Sequence, residues 1–156
     1  MGMVLDGVTA VLLGIIAWND HKTMEIPDGL NVGLAVCGLI SLFLYSDISV
    51  SERLIGACCV SVPMYLMNCL ISEAFGGGDI KLTSAMGFYL GWKHMYAAAF
   101  LACMIGGMQG VYLLASGKVK SGEGAHMAFG PALCAGCFVS MFWGKEILTW
   151  YFGWFY

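Results

Sequence analysis

Six apolar stretches, at about 4–18, 30–45, 54–71, 83–92, 95–115 and 125–143, succeed one another with only short polar connections between them. A bilayer span takes about 20 predominantly apolar residues, so this series consumes nearly the whole 156-residue chain. In lipid every backbone N–H and C=O must find its partner within the protein, and continuous apolar stretches of this length meet that demand as helices. The sequence therefore predicts an all-α, polytopic integral membrane protein with six transmembrane helices, forming a single membrane-embedded domain over residues 1–156. Charged residues make up only 11% of the chain, against about 25% in a soluble domain, which leaves little for a soluble domain. The fourth stretch is short for a span, so either its helix starts inside the glycine run before it or the membrane is thin or wet there.

The polar connections lie at 19–29, 46–53, 72–82, 91–95 and 116–126. Six spans place the first, third and fifth connections on one side, with Lys22, Lys81, Lys118 and Lys120, against Arg53, Lys93 and Lys145 on the other. By the positive-inside bias this puts Asp20, Asp79 and the 116–126 loop at the cytoplasmic face and both termini outside. The first apolar stretch has no basic region ahead of it and no small-x-small cleavage site, so it reads as a retained span. The aromatic residues Trp150, Tyr151, Phe152, Trp154, Phe155 and Tyr156 suit an interfacial belt or the end of a longer sixth helix. Gly33, Gly38, Gly106, Gly107 and Gly110 are expected contact points between helices. A net charge of −3 with scattered basic residues offers no basic stripe for nucleic acid. Most of the seven cysteines fall in apolar stretches, where they act as small hydrophobes. Only Cys134-x-x-Cys137 has metal-like spacing, and it lacks a second pair.

Inside this apolar chain, the run Phe75-Gly76-Gly77-Gly78-Asp79-Ile80-Lys81-Leu82 sets a carboxylate directly after three glycines. Asp20 closes the first apolar stretch 59 positions earlier. An ionisable group beside a membrane segment is a functional-site candidate, and two acids that meet can share one proton, the ionised partner activating water and the protonated one polarising a carbonyl. Asp20 stands near the negative end of the first helix dipole and Asp79 near the positive end of the fourth, so dipoles alone assign the proton to Asp20. The simpler alternatives are an N-cap role for Asp79 and a solvated turn for Asp20. Asp28, after Ile26-Pro27, reads as the N-cap of the second helix, and Glu25, Glu73 and Glu123 as surface acids. His21, Lys22 and His126 form no nucleophile–base pattern, and Asp20, His21, Asp79 and His126 lack metal-ligand spacing.

These residues resemble the type IV prepilin peptidase and archaeal preflagellin peptidase family of membrane aspartic proteases. The first family motif is similar to Asp20-His21-Lys22-Thr23-Met24-Glu25-Ile26-Pro27-Asp28-Gly29-Leu30-Asn31, and the Gly-x-Gly-Asp motif to Gly76-Gly77-Gly78-Asp79-Ile80-Lys81. A third element, Phe-Gly-Pro, resembles Phe129-Gly130-Pro131. The resemblance implies a catalytic pair, Asp20 and Asp79, using water without metal or cofactor. Gly76, Gly77, Gly78, Lys81, Ile26, Pro27, Asn31, Gly130 and Pro131 are then motif or positioning residues. Ile26-Pro27 sets the turn into the second helix, while Lys81 either neutralises a carboxylate or a lipid phosphate or snorkels to the headgroups.

By the same resemblance the substrate is a prepilin-like or preflagellin-like precursor, cut after a Gly between a short basic leader and an apolar helix. Cleavage falls at the cytoplasmic boundary of a prokaryotic inner membrane, with lipid the other partner and nucleic acid none. Glu25, Asp28, Glu73 and Glu123 are available to attract the basic leader. Longer bacterial relatives carry an N-terminal extension with two Cys-x-x-Cys pairs and methylate the new N-terminus; this chain looks like a compact, peptidase-only form, so no methyltransferase activity is expected. Two alternatives use the same acids: a presenilin-like protease cutting within a span, and a proton or cation transporter.

Overall fold

A computed structural model describes residues 2–71, 75–116 and 128–153. Among these residues the chain is all-helical: α1 (Gly2–Thr23), α2 (Asp28–Leu44), α3 (Val50–Cys59), α4 (Ser61–Ile71), α5 (Gly77–Leu90), α6 (Trp92–Ala115) and α7 (Gly130–Gly153). The third apolar stretch is thus two helices. Pro63 explains the division, because its ring has no N–H for the carbonyl of Cys59 and crowds that turn. The expected six transmembrane helices are not matched by six membrane-length ones. Four segments are long and apolar enough to cross a membrane, at Gly2–Thr23, Val50–Leu70, Trp92–Leu113 and Gly130–Trp150. α2 is a shorter apolar helix, and α5, with 14 residues, rises only about 21 Å. Trp150 belongs to α7, in keeping with a longer last helix, whereas Trp154, Phe155 and Tyr156 lie outside the described residues, as do Glu73, Lys118, Lys120, Glu123 and His126.

Short α5 is the axis of the bundle and packs against α2, α3, α4, α6 and α7. Its buried face, Leu82, Met86, Tyr89 and Leu90, joins Leu13 and Ile16 of α1, Leu34 of α2, Met95 of α6 and Cys137 of α7 in one core. Large apolar side chains such as Val11, Phe43, Leu70 and Phe100 point outward, as lipid-facing positions do. Since lipid removes the hydrophobic drive between helices, close backbone approach matters more. A Cβ on Gly56 would strike the carbonyl of Gly87, one on Gly87 that of Gly56, and one on Gly136 that of Ala98. Of the glycines expected at contacts, Gly38 lies against Phe88 and Gly106 against Phe129, but among the described residues Gly107 and Gly110 face nothing within 4 Å. Spacing along a helix identifies a smooth face without identifying which face meets a neighbour.

Two tight connections aim the helices. Gly91, at φ 76°, reverses the chain between α5 and α6, a conformation that suits a residue without Cβ. Met24, at φ 52°, ends α1 and turns the chain back over Asp20, its N–H bonded to the Asp20 carbonyl at 2.9 Å. This left-handed conformation costs a non-glycine residue about 1–2 kcal/mol. The end of the bundle away from Asp20 carries its own polar contacts, with the hydroxyl of Tyr89 donating to Asp6 Oδ1 at 2.5 Å. Arg53, counted above as a charge of a connection, instead lies in α3 and is completely buried.

Candidate active site

Asp20 sits in the last turn of α1 and is 5% exposed. The helix runs on to Thr23, so Asp20 is not a solvated turn residue. Its Oδ2 accepts the backbone N–H of Gly130, the first residue of α7, at 3.1 Å. A helix N-terminus has free N–H groups and a positive dipole end, so α7 offsets the negative end of α1 at this carboxyl. Gly130 is needed for the approach, since a Cβ there would lie 2.6 Å from Asp20 Oδ2 and 3.2 Å from its Cβ. Phe129 is anchored beside it, over Gly106 and against the ring of Phe75. Pro131 fits the first turn of α7, where a missing N–H costs nothing.

Asp79 lies in the first turn of α5, outside the four membrane-length segments. The cap of α5 is Gly76, and no side chain caps it; Asp79 is therefore not an N-cap. Asp79 is 7% exposed and its Oδ1 is buried without a hydrogen-bond partner among the described residues. Burial first, and then the neighbouring Asp20 carboxyl, push its pKa up to about 6. Gly78 lets this turn pack on the Ile-Pro turn, because a Cβ there would come 2.8 Å from Ile26 Cβ. Gly76 and Gly77 face no such contact: a Cβ on the first would meet Asp79 Oδ2 at 3.4 Å, and one on the second would meet nothing within 4 Å.

Asp20 and Asp79 line one cavity of about 600 Å³, together with residues 23–28, Gly76–Gly78, Ala128 and Phe129. The C-terminal end of α1 and the N-terminal ends of α2, α5 and α7 converge on it. Pro27, not Asp28, is the N-cap of α2, and Asp28 Oδ1 instead accepts from Lys81 Nζ at 2.6 Å. Both partners are largely exposed, a setting in which an ion pair contributes about 0–1 kcal/mol. Asn31 donates from Nδ2 to the carbonyl of Gly78 at 3.4 Å, joining the two motifs across the cavity wall.

One positioning residue escaped the sequence reading. Asn68 of α4 holds Phe75 through both backbone groups, donating to its carbonyl and accepting its N–H at 2.7 Å each. It thereby fixes the start of the glycine run. A carboxamide in the middle of an apolar stretch was the available signal. Cys134 and Cys137 are buried, free thiols on α7, and among the described residues no three His, Cys, Asp or Glu side chains are grouped to hold a metal.

The fold and site define a polytopic helical membrane protein with two buried carboxyls facing one cavity at converging helix ends. Its sequence matches the type IV leader peptidase family over residues 7–111, and the chain belongs to that family. It is 32% identical over 142 residues to the prepilin leader peptidase/N-methyltransferase of Legionella pneumophila, covering 86% of this chain and 47% of that protein. The proteins of the same name from Bacillus subtilis and Aeromonas hydrophila are 31% and 28% identical, each over 90% of this chain and 56% and 49% of their own lengths. The chain thus spans about half the length of the curated relatives it matches. No solved structure matches it.

Proposed function

We propose that this chain is a membrane aspartic endopeptidase that removes the short basic leader of prepilin-like precursors, cutting after a Gly at the cytoplasmic boundary of a prokaryotic inner membrane. The observation that carries this reading is the pairing of Asp20 and Asp79 in one cavity, in a member of the type IV leader peptidase family. Asp20, as carboxylate, takes a proton from water; Asp79, protonated, donates to the scissile carbonyl as the water oxygen attacks it. Collapse of the tetrahedral intermediate breaks the C–N bond, the proton held by Asp20 passes to the leaving amine, and the carbonyl proton returns to Asp79. This assignment reverses the dipole expectation, because α7 supplies Asp20 with a donor while Asp79 Oδ1 has none.

The assignment has a direct check. Infrared titration of the carboxyl band should show Asp79 ionising near pH 6. In Asp20→Asn the neighbouring negative charge is gone, so Asp79 should ionise at lower pH; an unchanged or higher value would undo the assignment. The function itself is tested by co-expression with a prepilin-like precursor from the same organism, with a gel shift on processing and mass determination of the new terminus. Juxtamembrane cleavage after Gly supports the reading, cleavage inside the span would mark a presenilin-like protease, and ion movement in liposomes without cleavage a transporter. The cavity's place at helix ends favours the first. The same processed product should carry no labelled methyl group when the 156-residue chain acts alone. Glu25 and Asp28 line the cavity; Asp28 is paired with Lys81, which leaves Glu25 as the lining acid placed to draw in a basic leader.

Gly130→Ala provides a sharper local test. The added methyl would overlap the Asp20 carboxyl and crowd its Cβ, so the carboxyl must move and the ends of α1 and α7 must part slightly, at some cost in stability. Cleavage should fall on the order of 10²-fold, as misplacing a reacting group by about 1 Å can do. Wild-type turnover in Gly130→Ala would show that the Gly130 contact does not position Asp20.

A further inference from the structure

α2 and α5 run side by side away from the candidate active site: Lys81 meets Asp28 at its edge, and Phe88 packs on Gly38 deeper in. Between them lies a second cavity, of about 620 Å³, walled by Val32, Ala35 and Leu39 of α2, Ala85 and Phe88 of α5, and Ala57 of α3. Asp28 lines both cavities, so the groove begins beside the site of the two aspartates. From Asp28 to Leu39 it extends about 16 Å at the helical rise per residue, more than half of the ~30 Å hydrocarbon core. The small side chains Ala35, Ala57 and Ala85 permit another helix backbone to come close.

At the head of this groove stands Asn31, 5% exposed, its Oδ1 buried without a partner. The amide orientation follows from its other contact: Nδ2 donates to the Gly78 carbonyl, and a flipped amide would set two acceptors against each other. An unfilled acceptor at such a depth requires a donor. The first turn of a helix has free N–H groups, whereas a lipid chain, though it would suit the apolar wall, has none.

We propose that the α2/α5 groove seats the apolar segment that follows the cleaved bond, its first turn meeting the Asn31 side chain that lines the head of the groove, where a small turn of the amide opens Oδ1 to an N–H. The inference rests on the leader-peptidase reading above. The segment then runs parallel to α2 and α5, and its N-terminal end, which carries the scissile bond, arrives at Asp20 and Asp79. Substrate choice is thereby divided: the aspartate cavity handles the junction, and the groove selects for a membrane helix.

The test uses the whole enzyme in proteoliposomes, with a helix-bearing prepilin and a peptide of the same junction without the helix. A photoreactive phenylalanine analogue at Leu39 should crosslink to the prepilin helix, whereas the same analogue at Phe100, exposed on α6, should not. Ala35→Trp fills the groove from an exposed position and should raise KM for the prepilin about tenfold or more, with kcat kept. Equal crosslinking at both positions, crosslinking of Leu39 to lipid alone, or an unchanged KM in folded Ala35→Trp would overturn the proposal. Should Ala35→Trp not fold, the crosslinking pair decides. If wild-type enzyme cleaves neither substrate, the leader-peptidase reading itself fails; if it cleaves and the groove results fail, only the groove assignment is lost.

Discussion

Asp20→Asn and Asp79→Asn are each expected to lower precursor cleavage by about 10³-fold or more, with the folded protein retained. Asparagine keeps the shape of the side chain and removes the proton chemistry, so the loss reads out acid–base function rather than packing. General acid–base assistance by one group is worth about 10²–10⁴-fold. Each substitution also removes the partner on which the other carboxyl depends, which places the loss in the upper part of that range. Because the pair acts as a unit, the double variant should be little worse than either single one, the non-additivity seen when one step needs both groups. Asp79→Asn also replaces a carboxyl whose charge is disfavoured by burial, so its melting temperature should match or exceed the wild-type value. Rates of prepilin processing, alongside thermal unfolding in detergent, check both statements. Retention of more than about a tenth of the activity by either single variant would be incompatible with two-carboxylate catalysis.

How much of this could be read from the sequence depends on how local the cause is. Charges in apolar runs and the glycine triplet marked Asp20 and Asp79 directly, and the apolar stretches located the helices. Helix starts were less visible where capping extends them. α3 begins at Val50, four residues before the expected start, because Ser49 and Glu52 form a reciprocal capping box, a pattern written in the sequence as Ser-x-x-Glu. The break between α3 and α4 was missed by reading 54–71 as one stretch, although Pro63 was the signal available for it. Other features depend on approach between distant segments. The N–H given to Asp20 comes from Gly130, 110 positions away, and it alters the electrostatics that the dipole of α1 alone suggested. Gly56 and Gly87 form a backbone contact while Gly107 and Gly110 do not, a distinction that only packing makes. Asp28 had the right local context for a cap, yet Lys81 takes its carboxylate across the mouth of the site.

Arg53→Met should be the most destabilising single change at the end of the bundle remote from the aspartates. Arg53 is 0% exposed and no carboxylate among the described residues pairs with it; its partners there are carbonyls and a hydroxyl. Nη1 donates to Ser41 Oγ at 2.6 Å and to the carbonyls of Phe88 and Tyr89 at 3.2 and 3.3 Å. Nη2 donates to the carbonyls of Ser41 and Tyr45 at 3.2 and 3.0 Å. The last carbonyls of a helix have no partner within it and carry its negative dipole end, so one guanidinium satisfies the C-terminal ends of both α2 and α5. These are the same two helices whose N-terminal ends bear Asp28 and Asp79. Methionine fills much of the volume but leaves at least the carbonyls of Tyr45, Phe88 and Tyr89 without this donor, at about 1–3 kcal/mol for each group that stays buried and unpaired. With partial relaxation the loss should be on the order of 3–5 kcal/mol, seen as a fall of about 10 °C in the apparent melting temperature. Arg53→Lys should recover only part of it, since one ammonium lacks the fork that reaches both helix ends. Unchanged melting in Arg53→Met would mean that water or lipid headgroups serve these carbonyls equally well, and that α2 and α5 are aligned by packing at Gly38 alone.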